Sequence, residues 1–279
     1  MTTTLRPTGP LRQTDDGGKS RSYEVCVNSR PVGSIELSTD PGFGNTAGTL
    51  RALRIDEPDR RRGRATVAVL AAEEVLRGWG CGQVQASVPP SAVPALRMLE
   101  SLGYVERSRN MDKELPPDPP ALPPGVEGRP MNETEFGRWH AQAVDGYARS
   151  WADRGTPPDR AQALAEASHR KLLPAGLATP GASLNVLLHE GAVVGHVWVA
   201  SREVRPGRPG SYVYDVAVTE DQRGKGFGRA LMLLAEGIAL ESGSEVLGLH
   251  VFAGNTPAIR LYESLGYGTT AVNYFKQLL

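Results

Sequence analysis

Residues 215–231 have the sequence DVAVTEDQRGKGFGRAL, and this stretch decides the fold. Residues Tyr212 to Val218, which lead into this stretch, predict a strand, and its last residues predict the start of a helix. Between them lie three closely spaced glycines, Gly224, Gly226 and Gly228. Glycine lets the backbone turn sharply, and the first amides of a helix attract anions. The stretch therefore predicts a phosphate-binding turn between a strand and a helix.

The spacing of the glycines excludes two other nucleotide-binding motifs. The last glycine follows the second by two residues, whereas a dinucleotide-binding fingerprint needs three, and no Gly-Lys-Ser/Thr follows as a P-loop requires. The side chains of Arg223, Lys225 and Arg229 would add full positive charges beside a bound anion. Taken alone, the stretch is equally compatible with an ordinary glycine-rich turn carrying solvated basic side chains.

A second motif follows at residues 255–267, with the sequence NTPAIRLYESLGY. The first motif, with Arg223, Gly226 and Gly228 in the pattern Arg/Gln-x-x-Gly-x-Gly/Ala, resembles the coenzyme A-binding motif of the GNAT superfamily. The second motif lies one helix and one strand downstream, as in that family. The resemblance covers the second half of the chain, from about residue 130. It implies an N-acetyltransferase that uses acetyl-coenzyme A as cosubstrate.

The resemblance also assigns the residues that bind acetyl-coenzyme A. In this family two adjacent strands splay apart, and pantetheine pairs with the main chain of the first. The implied binding residues are Val216, Ala217, Val218, Arg223, Gly224, Lys225, Gly226, Phe227, Gly228, Arg229, Asn255 and Tyr262. One main-chain amide of the strand would polarise the thioester carbonyl. Asn255 would contact the cofactor or cap the following helix, and capping alone would also explain it.

Catalysis by direct attack of an amine requires a proton acceptor and a proton donor. Tyr262 matches the family position of the acid that protonates the departing thiolate, and a packing tyrosine is the alternative. His250, on the strand that lines the cleft, is the candidate base, since imidazole titrates near neutral pH. A strand histidine without function is equally compatible, and Asp215 and Glu220 are the other candidates. The remaining histidines, placed on helices or turns and given no role, are His140, His169, His189 and His196.

The chain contains the same unit twice, with corresponding residues 163 positions apart, as Arg60 and Arg223 are. The shift superimposes ESLGY at 100–104 on ESLGY at 263–267. Roughly a third of the pairs from 57 to 115 are identical without a gap, which indicates a duplication.

The first copy lacks the groups that would carry the reaction. Leu99 stands at the position of Tyr262, Ala92 at that of Asn255 and Ser87 at that of His250. Arg61 replaces Gly224, although Arg60, Gly63 and Ala65 keep the rest of the turn, which could still bind an anion. We therefore expect the first copy to be catalytically silent.

These motifs divide the chain into a disordered tail (1–20), a degenerate GNAT-like domain (21–114), a proline-rich linker (115–130) and a catalytic GNAT domain (131–279). Proline density in the linker excludes helix and central strand. The expected fold class is α/β, with two tandem domains that each contain a mixed, mostly antiparallel sheet flanked by helices. Two helices expected over 132–154 and 157–173 precede the second copy only.

Composition limits the partners. The 31 basic and 31 acidic residues give a net charge of +0, which argues against nucleic-acid and membrane partners. Only Cys26 and Cys81 are present, too few for a disulfide framework, and no metal site is expected. The N-terminus has no apolar segment typical of a signal peptide, so we expect a cytoplasmic location. We expect the protein to be a monomer or a homodimer.

The predicted activity is therefore acetyl transfer from acetyl-coenzyme A to a primary amine of a small molecule or peptide, in a ternary complex. Two alternatives remain open. One is an enzyme that acts on protein lysines or N-termini, and the other is a non-catalytic module that binds acyl-coenzyme A. The amine pocket is expected to be formed by loops and by the two leading helices, which carry no sequence motif for a particular acceptor. The sequence therefore does not distinguish among these acceptors.

Overall fold

The computed structural model describes residues 3–40, 46–152 and 158–278. The strands, in chain order, are β1 (Thr3–Pro7), β2 (Arg12–Gln13), β3 (Lys19–Val27), β4 (Arg30–Thr39), β5 (Ala47–Ile55), β6 (Gln83–Val88), β7 (Val105–Glu114), β8 (Val126–Pro130), β9 (Ala182–His189), β10 (Ala192–Ser201), β11 (Gly210–Val218), β12 (Val246–Phe252) and β13 (Gly268–Gln277). The helices are α1 (Arg64–Gly78), α2 (Val93–Ser101), α3 (Glu133–Ala152), α4 (Pro158–Leu172), α5 (Phe227–Glu241) and α6 (Thr256–Ser264).

The chain forms two compact units that interleave along the sequence. The first contains residues 1–110, 251–256 and 269–279, and the second contains residues 111–250 and 257–268. Each unit has a mixed, mostly antiparallel sheet flanked by helices, which confirms the predicted fold class. No helix in the described part of the chain is long and apolar enough to span a bilayer.

The sheet of the first unit has the strand order β1-β3-β4-β5-β6-β13, with β2 paired to β3. Its pairs are antiparallel except β5 with β6. Helix α1 packs its apolar side on this sheet, and Ala72 and Leu76 are fully buried in one core with Val25, Ile35 and Val84. The burial of these apolar side chains is the main stabilising term of the unit.

The β3–β4 hairpin turns through Asn28 and Ser29, both with positive φ (47° and 68°). A two-residue turn with this geometry matches the right-handed twist of the strands, and asparagine tolerates it well. The turn joins β3 and β4 into a hairpin, with Val27 opposite Arg30.

The sheet of the second unit has the order β12-β11-β10-β9-β8, antiparallel except for the β11–β12 pair. Helix α3 covers one face, where Trp139 packs with Leu184 and Trp198. Helix α5 covers the other face so closely that a Cβ on Gly195 of β10 would lie 2.8 Å from the side chain of Leu231. Strands β10 and β11 thus lie between two helical layers.

The duplication extends further upstream than the identical residues indicate. Shifting α1 by 163 residues gives the bounds of α5, and the same shift converts α2 into α6 and β7 into β13. It also converts β5 (Ala47–Ile55) into β11 (Gly210–Val218), although no pair of residues in these two strands is identical. Backbone structure therefore preserves the repeat where side chains have diverged.

The last strand of each copy is not where the repeat alone would place it. Strand β13, the end of the second copy, pairs antiparallel with β6 of the first unit from Val272–Val88 to Gln277–Gln83. Conversely, residues 111–114 at the end of β7 belong to the second unit. The compact units therefore do not follow the expected domain boundaries.

Two expectations about irregular segments are wrong. The expected disordered tail contains β1, which pairs with β3 from Thr3–Val27 to Pro7–Tyr23, because Leu5 packs on the first core and Arg6 bonds Glu24. The last five residues of the expected linker form β8, an edge strand on β9, where the terminal Pro130 is tolerated. Of the expected helix ends, Arg154 and Pro157 lie outside the described residues.

Candidate active site

The glycine-rich turn adopts a backbone that only glycine accepts easily. After a short 3-10 turn at Glu220–Gln222, Gly224 and Gly226 have φ of 78° and 89°, and α5 begins at Phe227. A Cβ on Gly226 would meet nothing within 4 Å, so the requirement is conformational. Gly228 differs, since its Cβ would lie 3.2 Å from the side chain of Leu261. The turn leads directly into the N-terminal end of α5, the end of a helix that attracts anions.

The basic side chains of the turn are exposed. Lys225 donates to the amide oxygen of Gln222 at 2.9 Å, and Arg229 donates to the hydroxyl of Ser264 at 2.6 Å. Neither bond neutralises the positive charge. Both cations therefore contribute attraction for an anion at the start of α5.

Strand β11 changes its pairing just before this turn. Its parallel register with β12 ends at Val213–Leu249, whereas β11 continues to Val218. On its other edge, Val216, Ala217 and Val218 remain paired with β10. A β-bulge places Tyr214 as the extra residue, and its ring stacks on Trp198 at 4.7 Å. The splaying expected at these strands therefore coincides with a bulge, a device that redirects a strand next to a site.

Tyr262 lies on α6 with only 7% of its surface exposed. Burial, and then the negative charge of Asp215, raise the pKa of the Tyr262 phenol above its ordinary value of 10.0. The hydroxyl therefore keeps its proton at neutral pH, as a proton donor must.

Asp215 of β11 is held by two nitrogen donors from different elements. Trp139 of α3 donates its indole N–H to Oδ2 at 2.8 Å, and His196 Nε2 of β10 lies 3.0 Å from the same oxygen. Burial raises the pKa of Asp215, but the bonds from His196, Trp139 and the Val216 amide outweigh it, and the net pKa is lowered. The carboxylate is therefore ionised at neutral pH.

Aromatic rings surround this carboxylate. Trp139 makes an edge contact with Trp198, with ring centroids 5.5 Å apart, and lies 6.4 Å from the ring of His196. His169 of α4 is buried, and its Nδ1 bonds the Ala165 carbonyl at 2.9 Å. The rings fix the orientation of α3 and α4 over the strand face that carries Asp215.

The structure brings only some of the expected residues together. Asp215 and Tyr262 are close enough to interact electrostatically. His250 lies on β12 with an exposed side chain, Asn255 precedes α6, and Glu220 is exposed in the 3-10 turn.

His196 and Trp139 carry no role in the sequence analysis. His196 was expected on a helix or turn, but it lies in the middle of β10. His189, for which the same was expected, is the last residue of β9. The signal that would find His196 is its spacing of two residues from Trp198, which places both side chains on one face of β10.

The corresponding turn of the first copy is closed by its own ion pairs. Asp59, only 4% exposed, accepts hydrogen bonds from the two terminal guanidinium nitrogens of Arg30 at 2.8 and 3.0 Å and pairs with the buried Arg64. In the second copy, the half-buried Gln222 and the apolar Phe227 occupy the positions of Asp59 and Arg64. Arg61 takes the left-handed conformation (φ 59°) that Gly224 takes there. Two cations at this turn, Arg30 and Arg64, are therefore paired with Asp59 and contribute less attraction for a bound anion.

Comparison with known proteins links both copies to one family. The model of the acetyltransferase (GNAT) family matches residues 3–104 and again residues 146–267. The uncharacterized N-acetyltransferase YycN of Bacillus subtilis is 34% identical over 151 residues, covering 53% of this chain and 96% of that protein. A mycothiol acetyltransferase of Thermomonospora curvata is 28% identical over 265 residues, covering 93% of this chain and 83% of that protein.

A solved structure shows the same fold over nearly the whole chain. It is a GCN5-related N-acetyltransferase from Sphaerobacter thermophilus, with a TM-score of 0.57 at 20% identity. The match covers 92% of this chain and 80% of that one.

Proposed function

Because the chain belongs to the acetyltransferase (GNAT) family, we propose that its second copy transfers acetyl from acetyl-coenzyme A to a primary amine of a small molecule or peptide. The observation that carries this proposal is the arrangement in the second unit. Three features follow one another along the chain here: the end of β11 that no longer pairs with β12, the glycine turn at Gly224 and Gly226, and the buried Tyr262.

The residues of the second copy divide the work. The start of α5, with Arg223, Lys225 and Arg229, binds the pyrophosphate. Main-chain groups of residues 216–218 hold the pantetheine arm, and an amide there polarises the thioester carbonyl. Binding both reactants together removes much of the entropic barrier to amine attack. Tyr262 protonates the departing sulfur.

A small-molecule acceptor has support from the relatives that span nearly the whole chain. The Thermomonospora curvata protein, which covers 93% of this chain, is named mycothiol acetyltransferase. The acceptor of that enzyme is therefore the first amine to test. Acceptor peptides and protein N-termini belong in the same panel. The elements that would contact them, α3 and α4, carry no sequence motif that identifies one class of acceptor.

A thiol-release assay with acetyl-coenzyme A and this panel tests the proposal. Amine-dependent release of coenzyme A by the full chain, with acetylated product seen by mass spectrometry, is the expected result. Tight acetyl-coenzyme A binding without release for any amine would instead support the non-catalytic module. Release only with protein substrates would favour the protein acetyltransferase.

A further inference from the structure

We propose that His196, held by Asp215, is the group that takes the proton from the acceptor amine. This inference rests on the proposed function and replaces His250 as the candidate base. The two side chains project from the same face of β10 and β11, and His196 Nε2 lies 3.0 Å from Asp215 Oδ2. Both remain reachable, with 25% and 38% of their side-chain surfaces exposed.

The direction of this hydrogen bond assigns the two ring nitrogens. Tryptophan can only donate, so Asp215 Oδ2 accepts the indole N–H of Trp139. An ionised carboxylate can only accept, so His196 Nε2 must carry the hydrogen that it shares with Asp215. The other nitrogen, Nδ1, then has a lone pair in the neutral ring. His196 is thereby oriented as a proton acceptor whose charged form Asp215 stabilises.

The ionisable groups around the pair come from every packed element. Helix α3 contributes His140 beside Trp139, and α4 contributes the buried His169, at ring distances of 6.3 and 6.5 Å from Trp139. Burial, and then His169, lower the pKa of His140, which keeps that ring neutral. Tyr262 stays protonated for the reasons given above. Among these groups, Asp215 is the anion that bonds His196 directly.

The chemical step balances with these groups alone. The neutral amine attacks the thioester carbonyl, a C–N bond forms, and the C–S bond breaks with its electron pair on sulfur. The proton lost by nitrogen passes to His196 Nδ1, directly or through one water. The proton that sulfur needs comes from Tyr262. Asp215 remains a carboxylate throughout and positions the imidazole.

The silent first copy supports this assignment. Strand pairing places Ser34 opposite Arg54 where His196 lies opposite Ala217, so Ser34 is the counterpart of His196. By the 163-residue shift, Ala52 is the counterpart of Asp215, and Leu99 is that of Tyr262. The copy that lacks the proton donor therefore also lacks both members of the pair.

The test is the pH dependence of kcat/KM for the full chain with its best amine, measured by thiol release. We expect wild-type activity to fall on the acid side as an imidazole takes up a proton. His196→Gln should lower kcat/KM by roughly 10²–10⁴-fold and remove this acid limb. Asp215→Asn should lower the rate and move the limb to lower pH, because the carboxylate no longer stabilises imidazolium.

The matched control is His140→Gln, the same change on a neighbouring ring, which should keep both the rate and the acid limb. Coenzyme A affinity, measured by calorimetry, should be unchanged in all three variants and reports that they are folded. If His196→Gln keeps the acid limb, or if His250→Gln removes it instead, the assignment is overturned while the proposed function stands. If wild type releases no thiol with any amine, the proposed function and this inference fall together.

Discussion

Lys276 donates to both carboxylate oxygens of Glu73, at 2.9 and 2.8 Å, although the two residues lie 203 positions apart in the sequence. Glu73 is buried at 2% exposure in the middle of α1. Lys113 makes the equivalent pair with Glu236 of α5, at 2.7 and 2.8 Å. In each copy, the buried glutamate of the helix therefore pairs with a lysine from the last strand of the other copy.

Removal of Lys276 should be costly because it leaves a buried carboxylate without its cation. We expect Lys276→Met to lower the free energy of unfolding by about 3–5 kcal/mol, measured by denaturant titration. The double variant Glu73→Gln, Lys276→Met should recover much of this loss. The control is Arg77→Met, which breaks an ion pair with the exposed Glu74 and should cost at most about 1 kcal/mol. Equal losses in the two single variants would contradict the prediction.

Gly226→Val should weaken coenzyme A binding by at least about tenfold, the factor that a loss of about 1.4 kcal/mol produces. The physical reason is the φ of 89°, which a β-branched residue does not accept without moving the turn. Calorimetry with coenzyme A measures the effect. Gly63→Val introduces the same strain at φ 71° in the first copy and serves as the control. It should lower stability similarly and leave this affinity intact, and unchanged affinity in the Gly226 variant would place the anion elsewhere.

Tyr262→Phe should lower kcat by up to roughly 10²–10⁴-fold while leaving coenzyme A affinity nearly unchanged, since only the proton donor is lost. A thiolate is a tolerable leaving group even without a proton donor, which limits the size of the loss. The mirrored variant Leu99→Ala trims a buried side chain and should cost about 2–5 kcal/mol of stability. At temperatures where it stays folded, its kcat should equal that of wild type. Turnover lost in folded Leu99→Ala, or unchanged in Tyr262→Phe, would refute the division of labour.

Helix α3, which positions Trp139, begins with a reciprocal cap. The Glu135 amide donates to the Asn132 side chain and the Asn132 amide donates to Glu135, both at 2.9 Å. The bidentate bond from Arg129, and then the Asn132 amide, lower the pKa of Glu135 to about 2. Because the folded pKa lies below the ordinary value of 4.5, this stabilisation is present above pH 4.5 and is lost as pH falls towards 2.

Glu135→Gln should therefore be less stable than wild type at neutral pH, and the difference should shrink between about pH 4.5 and about pH 2. Denaturant titrations of both proteins across this range measure it. Asn132→Ala serves as a comparison, since it removes the other half of the cap and should cost about 1 kcal/mol at neutral pH. A stability difference for Glu135→Gln that does not change with pH would mean that the charge does not contribute.

Local signals in the sequence were sufficient for several elements. Glycines at 224 and 226 predicted the turn that precedes α5, because the turn depends on φ values that few other residues adopt. The partner of β13 was not predictable in this way. Glu73 and Glu236 correspond in the repeat, as do Lys113 and Lys276, so either pairing of helix and strand satisfies the same local pattern.

The pair of His196 and Asp215 was missed for a related reason. They lie 19 positions apart, the segment between them includes the end of β10, a loop and part of β11, and a bulge shifts the register within it. A shift of one residue moves a side chain to the opposite face of a sheet. Only the folded register therefore shows that the imidazole and the carboxylate share a face with Trp139.

The position of β13 also has a consequence for synthesis on the ribosome. Domains generally fold in the order in which they emerge, from the N-terminus onwards. Here the core of the first unit includes Val272 and Tyr274, close to the end of the chain. Until those residues emerge, β6 lacks its neighbouring strand and Glu73 lacks its lysine. The unit that is translated first is therefore completed last, and the nascent chain must keep the open edge of β6 from pairing with other chains throughout elongation.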